Sequence, residues 1–351
     1  MSKLQKTLQK IKPLDEEVMK KTQARLDDLT KPPGSLGVLE DIARQIAGIT
    51  GDVIPKVPKK AAILMAGDHG IVEEGVAPFP QEVTPQMVLN FVNGGAAMSV
   101  LTRHENAKLY VVDIGVASDL PDVPNIIKRK VAYGTKNMAK GPAMTQEEAV
   151  QAIEVGIEIT EGVINEGAGI IAIGEMGIGN TSPSTAIIAT YSKLDVKDVV
   201  GRGTGVDDDR LKIKIAAIEK SLRVNQPDPA DPLAVLAKVG GLEIAGLTGV
   251  ILACAANRVP VIIDGFISAA AAVIAGEMEP LAKNYMLGSH LSEEPGHKVM
   301  LDFLGIKPIL MMNMRLGEGT GAALAMNLVD ASLKILKEMA TFSEAGVSSE
   351  I

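Results

Sequence analysis

Five short apolar runs recur at residues 61–66, 109–114, 170–173, 260–263 and 308–312, and each is followed at once by glycine, aspartate or asparagine. Helical patterns separate them, at about 82–92, 145–165, 183–191, 208–223, 242–256 and 267–276. Asp113 aside, the runs are apolar instead of alternating, which suits strands buried on both faces. That combination restricts the chain to an α/β fold with a parallel, Rossmann-like sheet flanked by helices. Ligands in such folds lie at the carboxyl ends of the strands. The chemistry is therefore sought where the glycines and carboxylates follow the apolar runs.

The chain ends read differently. Leu14, Val18, Met19, Leu26 and Leu29 share one face at helical spacing, which predicts an amphipathic helix over 14–29. Lys31-Pro-Pro-Gly34 stops it, because proline removes a donor and restricts its predecessor. Ser35 is then placed to cap a second helix through about residue 49. A last helix over 320–339 puts Leu324, Leu328, Ala331 and Ile335 on one stripe, ahead of a polar tail at 341–351. The expected organisation is a large α/β domain over 56–316. A small helical domain is built from the N-terminal helices of 1–55 and the C-terminal helix of 317–351.

Composition excludes several functions. The 351 residues carry 35 Lys plus Arg against 43 Asp plus Glu, a net charge of −8. That argues against nucleic acid or an anionic membrane as a partner held by bulk charge. The longest uncharged apolar stretches, at 244–256 and 265–276, fall short of the roughly 18 residues that span a bilayer. The opening residues hold no apolar core of a secretory signal, so a cytoplasmic location is expected. The single cysteine, Cys254, excludes an intramolecular disulfide and reads as a buried, inert thiol. His69, His104, His290 and His297 have no regular metal spacing; neither a metal nor a cofactor is expected.

Nine of the 35 glycines fall in three short loops, Gly174-Glu-Met-Gly-Ile-Gly179, Gly201-Arg-Gly-Thr-Gly205 and Gly317-Glu-Gly-Thr-Gly321. Glycine lets a backbone approach a ligand and aim N–H groups at it, and a helix opening there favours phosphate. The alternative is that the glycines only permit tight strand-to-helix turns. Gly317-x-Gly319-x-x-Ala322 matches the letters of a dinucleotide fingerprint, but no strand-forming segment follows its helix. That weakens a nicotinamide-dinucleotide oxidoreductase, and a non-catalytic nucleotide-binding module is a further reading. Two loop glutamates, Glu175 and Glu318, either cap their own loops or face reacting atoms as general bases. Asp264 and Asp68-His69 stand at further strand ends. Phe79 and Met87 could clamp a flat apolar ligand or serve the core.

At these loops the sequence resembles the nicotinate-nucleotide–dimethylbenzimidazole phosphoribosyltransferase family. The matching segments are Lys31-Pro-Pro-Gly-Ser-Leu-Gly37, Gly67-Asp-His-Gly70, Pro80-Gln-Glu-Val-Thr84, Gly94-Gly-Ala-Ala97 and Gly174-Glu-Met-Gly-Ile-Gly-Asn-Thr181. They continue through Gly201-Arg-Gly-Thr-Gly205, Lys238-Val-Gly-Gly241, Asp264-Gly-Phe266, Ser289-His290 and Arg315-Leu-Gly-Glu-Gly-Thr-Gly-Ala-Ala-Leu-Ala325.

The resemblance implies a homodimer that transfers phosphoribose from nicotinate mononucleotide to 5,6-dimethylbenzimidazole, giving α-ribazole 5′-phosphate and nicotinate with inversion. It implies Glu318 as the general base, with Glu175 assisting or positioning the acceptor. For the nucleotide it points to Gly177, Asn180, Thr181, Gly203, Gly319, Thr320 and Gly321. Lys214 is a cation that the other subunit could supply, and Asp264 and Ser289 lie on the ribose or nicotinate side. Phe79, Met87, Met176 and Leu316 match the base pocket. Because the family varies at the positions of Phe79 and Met87, other benzimidazoles, adenine and phenolic bases stay open as acceptors.

Overall fold

In the computed structural model, which describes residues 1–203 and 205–348, the apolar runs become strands of one seven-stranded sheet. They are β1 (Lys60–Gly67), β2 (Lys108–Gly115), β3 (Ile126–Lys128), β4 (Ile170–Met176), β5 (Val261–Ile263), β6 (Met286–His290) and β7 (Pro308–Leu310). Every pairing is parallel, in the order β3-β2-β1-β4-β5-β6-β7. Alternate residues of one strand feed two separate cores: Ile63 and Met65 of β1 enter one, Ala62 and Leu64 the other. A strand apolar on both faces has no solvent side to pattern.

The helices are α1 (Lys3–Lys10), α2 (Glu16–Asp28), α3 (Val38–Thr50), α4 (Val83–Val92), α5 (Ala97–His104), α6 (Gln146–Asn165), α7 (Thr181–Ser192) and α8 (Val196–Val199). They continue with α9 (Asp208–Asn225), α10 (Pro232–Val239), α11 (Leu242–Ala256), α12 (Phe266–Met278), α13 (Pro295–Leu304), α14 (Thr320–Glu338) and α15 (Phe342–Ala345). Residues of α2, α3, α4, α5 and α14 cover one face of the sheet, and residues of α6, α7, α11 and α12 help to cover the other. Helices α6 and α11 meet through glycines: a Cβ at Gly156 would collide with the Gly246 carbonyl, and one at Gly249 with the Ile153 carbonyl. Cys254 is buried in α11, and burial raises its thiol above the ordinary range.

Several details depart from the sequence reading. Ser35 does not cap a helix. Successive turns carry the chain from Pro32 to Gly37, which takes the N-cap of α3 at φ +54° without a side-chain bond. The stop is fixed by a buried ion pair between Lys31 and Glu40, at 2.8 Å. Helix α1, closed by a Ser2–Gln5 capping box, adds to the expected elements. So do α5, β3 and β6; Gly288, Ser289 and His290 give β6 weak strand propensity, and its place between β5 and β7 decides its conformation. The expected polar tail opens with α15, which a Thr341–Glu344 capping box closes. Thr204 of the second glycine loop and residues 349–351 of that tail lie outside the described residues. Among the described residues no helix is long and apolar enough to cross a membrane.

Candidate active site

The chain leaves β1 toward β2 and β3 on one side, then returns across it to β4 and continues to β7 on the other. A switch of direction like this opens a crevice beyond the strand ends. Glu175 and Met176 end β4, with Glu175 in register with Met65 of β1. A cleft of about 210 Å³ lies there. It brings together Glu175, Gly177, Asn180, Thr181, Gly203 and Glu318, and it is lined further by Phe79, Met87, Met176 and Leu316. Phe79 is 47% exposed and Leu316 58% exposed, so the apolar lining includes an open rim. A larger surface hollow of about 680 Å³ beside Lys136, Lys140 and Lys238 contains none of these residues.

One glutamate is held in part by the loop of the other. Glu175 Oε1 accepts the backbone N–H of Glu318 at 3.3 Å, and Asn180 donates its amide to Oε2. Burial lifts Glu175 to about 8, the charges of Glu243 and Asp264 push the same way, and the two donors oppose. Glu318 sits at φ +65°, in the left-handed region between two glycines that share it. Its own carboxylate accepts the Met98 N–H at 3.4 Å, at the start of α5. Burial raises Glu318 too, with Asp264 adding and the Met98 N–H opposing. Burial thus holds both carboxylates above the ordinary range, a perturbation that clusters at functional sites.

A buried lysine stands behind Thr181. Lys214, on α9, does not line the cleft but lies against its wall within its own chain; its Nζ donates to Thr181 Oγ1 at 2.8 Å and to the Gly201 carbonyl at 2.9 Å. Burial depresses Lys214 to about 8, against the pull of Glu294. Thr181 opens α7, so its helix presents N–H groups and partial positive charge to the same place. With Gly203 beside them, these groups can hold an anion of phosphate size.

Asp264, Ser289, Gly319, Thr320 and Gly321 do not line this cleft. Asp264 lies behind it, where its carboxylate accepts the N–H groups of Gly319 at 3.1 Å and Ala322 at 3.0 Å. It thereby caps the start of α14. Burial raises Asp264, and His290 and the backbone donors oppose. Ser289 is buried, donating to the Asp264 carbonyl at 3.3 Å and lying 3.0 Å from His290 Nδ1. Thr320 donates to the Gly317 carbonyl at 2.9 Å. Packing accounts for three of the loop glycines. A Cβ at Gly174 would strike the Glu318 carbonyl, one at Gly177 the Gly67 carbonyl, and one at Gly321 the His290 ring.

Sequence reading misses Glu294 and Arg315, which both line the cleft. Glu294 is a buried carboxylate whose Oε1 accepts the Gly203 N–H at 2.8 Å; burial raises it and Lys214 opposes. Its one signal is a charged residue just before Pro295 at a helix start. His69 and Glu243 form a buried pair at 2.8 Å near the cleft floor. Among the described residues, no group of three His, Cys, Asp or Glu side chains is arranged to hold a metal ion.

A family profile described as phosphoribosyltransferase matches residues 11–347. The nicotinate-nucleotide–dimethylbenzimidazole phosphoribosyltransferase of Geobacter sulfurreducens is 57% identical over 348 residues, 99% of either chain. The protein of the same name from Chloroflexus aggregans is 55% identical over 350 residues, covering 100% of this chain and 99% of that one. The crystal structure of CobT from Thermus thermophilus superposes with a TM-score of 0.92 at 45% identity, covering 95% of this chain and 100% of that one.

Proposed function

Because this chain belongs to the nicotinate-nucleotide–dimethylbenzimidazole phosphoribosyltransferase family, we propose that it moves phosphoribose from nicotinate mononucleotide to 5,6-dimethylbenzimidazole by an inverting displacement with Glu318 as general base. One observation carries this reading. A single cleft is lined by Glu175 and Glu318, by Thr181 and Gly203 with Lys214 bonded behind Thr181, and by the apolar side chains of Phe79, Met87, Met176 and Leu316.

The chemistry asks for these groups and few others. In the donor the pyridine nitrogen bonded to C1′ is cationic, so nicotinate departs neutral at that nitrogen and needs no acid. A ring nitrogen of the base forms the new bond to C1′ from the opposite face as the bond to nicotinate breaks. The other ring N–H becomes acidic as charge arrives, and Glu318 takes that proton. A carboxylate raised by burial is a stronger base than an exposed one. Glu175 holds the Glu318 backbone and so positions the base. Prealignment of the two substrates supplies much of the remaining acceleration.

Phe79, Met87, Met176 and Leu316 form the base wall. Methionine adapts its shape, and with two of the four residues widely exposed the wall tolerates several flat bases. The same reading includes a homodimer and a cytoplasmic location; sedimentation velocity tests the first. For the activity, the protein is incubated with nicotinate mononucleotide and dimethylbenzimidazole in the presence of a chelator. Mass spectrometry and proton spectra should identify α-ribazole 5′-phosphate and free nicotinate. Absence of both products, or a β-configured product, overturns the reading.

A further inference from the structure

The segment from Gly201 to Gly203 is gripped at two backbone groups by two buried side chains of opposite charge. Lys214 donates to the Gly201 carbonyl at 2.9 Å, and Glu294 accepts the Gly203 N–H at 2.8 Å. The two come from different parts of the fold, Lys214 from α9 and Glu294 from the link between β6 and α13. The fit on the Glu294 side is tight, since a Cβ at Gly201 would collide with its carboxylate. Gly203 itself stands at φ +54°, a conformation that glycine holds without strain and leaves as readily.

We propose that Glu294 is a positioning residue that sets how tightly the cleft holds the phosphate of the donor, acting through the Gly203 N–H. The inference rests on the phosphate reading of Lys214, Thr181 and Gly203 given above. A carboxylate is itself no partner for a phosphate dianion, so Glu294 contributes by geometry. With its acceptor removed, the glycine loop must be ordered when the donor binds, and that ordering subtracts from affinity. The proposed mechanism assigns the proton transfer to Glu318 and not to Glu294, so the loss falls on donor binding and leaves the bound complex competent. The contribution lies in the acceptor oxygen and its reach, not in the charge. Glutamine keeps both, whereas aspartate keeps the charge and falls one methylene short.

The test compares Glu294→Gln, Glu294→Asp and Glu294→Ala. It measures kcat, KM for nicotinate mononucleotide, KM for dimethylbenzimidazole, and the affinity for inorganic phosphate by calorimetry. The Asp and Ala variants should weaken donor KM and phosphate affinity together by about tenfold, the effect of one hydrogen bond. Base KM and kcat should stay near wild type, and the Gln variant should match wild type throughout. A Gln variant as impaired as Ala overturns the inference in favour of charge. An unimpaired Asp variant, or a fall in kcat at unchanged donor KM, overturns it as well. If the Ala variant does not fold, the Gln and Asp pair carries the comparison. Phosphate affinity is read without turnover, so failure of the transferase reading shows separately, as absence of product in every variant.

Discussion

The carboxylate of Glu175 holds the backbone N–H of Glu318 at 3.3 Å, so the two acidic residues of the cleft form one unit joined through the main chain. The N–H belongs to a residue at φ +65°. The bond therefore helps to keep a left-handed turn that a non-glycine residue adopts reluctantly. Glu175→Ala leaves that buried donor without an acceptor and should lower kcat by about tenfold. Glu175→Gln keeps an acceptor oxygen and should lose less. Steady-state kinetics on the two variants check the order.

Glu175 should also leave a mark on stability against pH. Its folded value of about 8 stands above the ordinary 4.5. Between those values the unfolded chain has lost a proton that the folded chain retains, so stability falls as pH rises through this window. Below it both states are protonated, and the full contribution is present. Thermal melts of wild type and Glu175→Gln should therefore diverge, with the variant gaining relative to wild type as pH rises from about 4.5 to 8 and the gap constant outside. A gap independent of pH contradicts the buried, raised carboxylate.

Lys214 carries the opposite signature in binding. Burial depresses it to about 8, so its charge is present below that pH and lost above. Donor KM should rise as pH passes through about 8, while Lys214→Met should raise KM at neutral pH by at least about tenfold and flatten the dependence. A pH profile of donor KM for both proteins decides it.

Glycine positions that look alike in the sequence should respond in opposite ways to alanine. At Gly321 a Cβ would strike the His290 ring, and at Gly156 the Gly246 carbonyl. Gly162 faces open space on the same helix α6 as Gly156. Gly162→Ala should stabilise the protein by about 1 kcal/mol, the helix-propensity difference. Gly156→Ala and Gly321→Ala should destabilise it by about 2 kcal/mol or more, through overpacking. Denaturant midpoints for the three variants test this.

These glycines mark the limit of what the sequence could convey. The parallel sheet and the helices that follow β4 and precede β5 were legible because apolar runs and 3.6-residue spacing are local signals. Glu175 and Glu318 stood out as carboxylates inside glycine loops. Asp264 was legible as a strand-end acid, but its carboxylate turns inward to cap α14, a contact across 55 residues of sequence that no local pattern announces. Gly174 and Gly321 resembled phosphate-loop glycines because tight backbone packing and ligand approach need the same residue. Glu294 stayed hidden for a related reason: its partner, Gly203, is 91 residues away. The strand β6 was hidden because its residues follow the neighbouring strands and not their own propensity.

The proposed mechanism turns on Glu318 taking the proton from the attacking base. The most direct test is the rate of α-ribazole 5′-phosphate formation by Glu318→Gln against wild type, at saturating nicotinate mononucleotide and dimethylbenzimidazole. The amide keeps the side chain's size and cannot take that proton, so the rate should fall by at least about 100-fold while donor KM holds. A Glu318→Gln enzyme that forms product at the wild-type rate would contradict the assignment of the base.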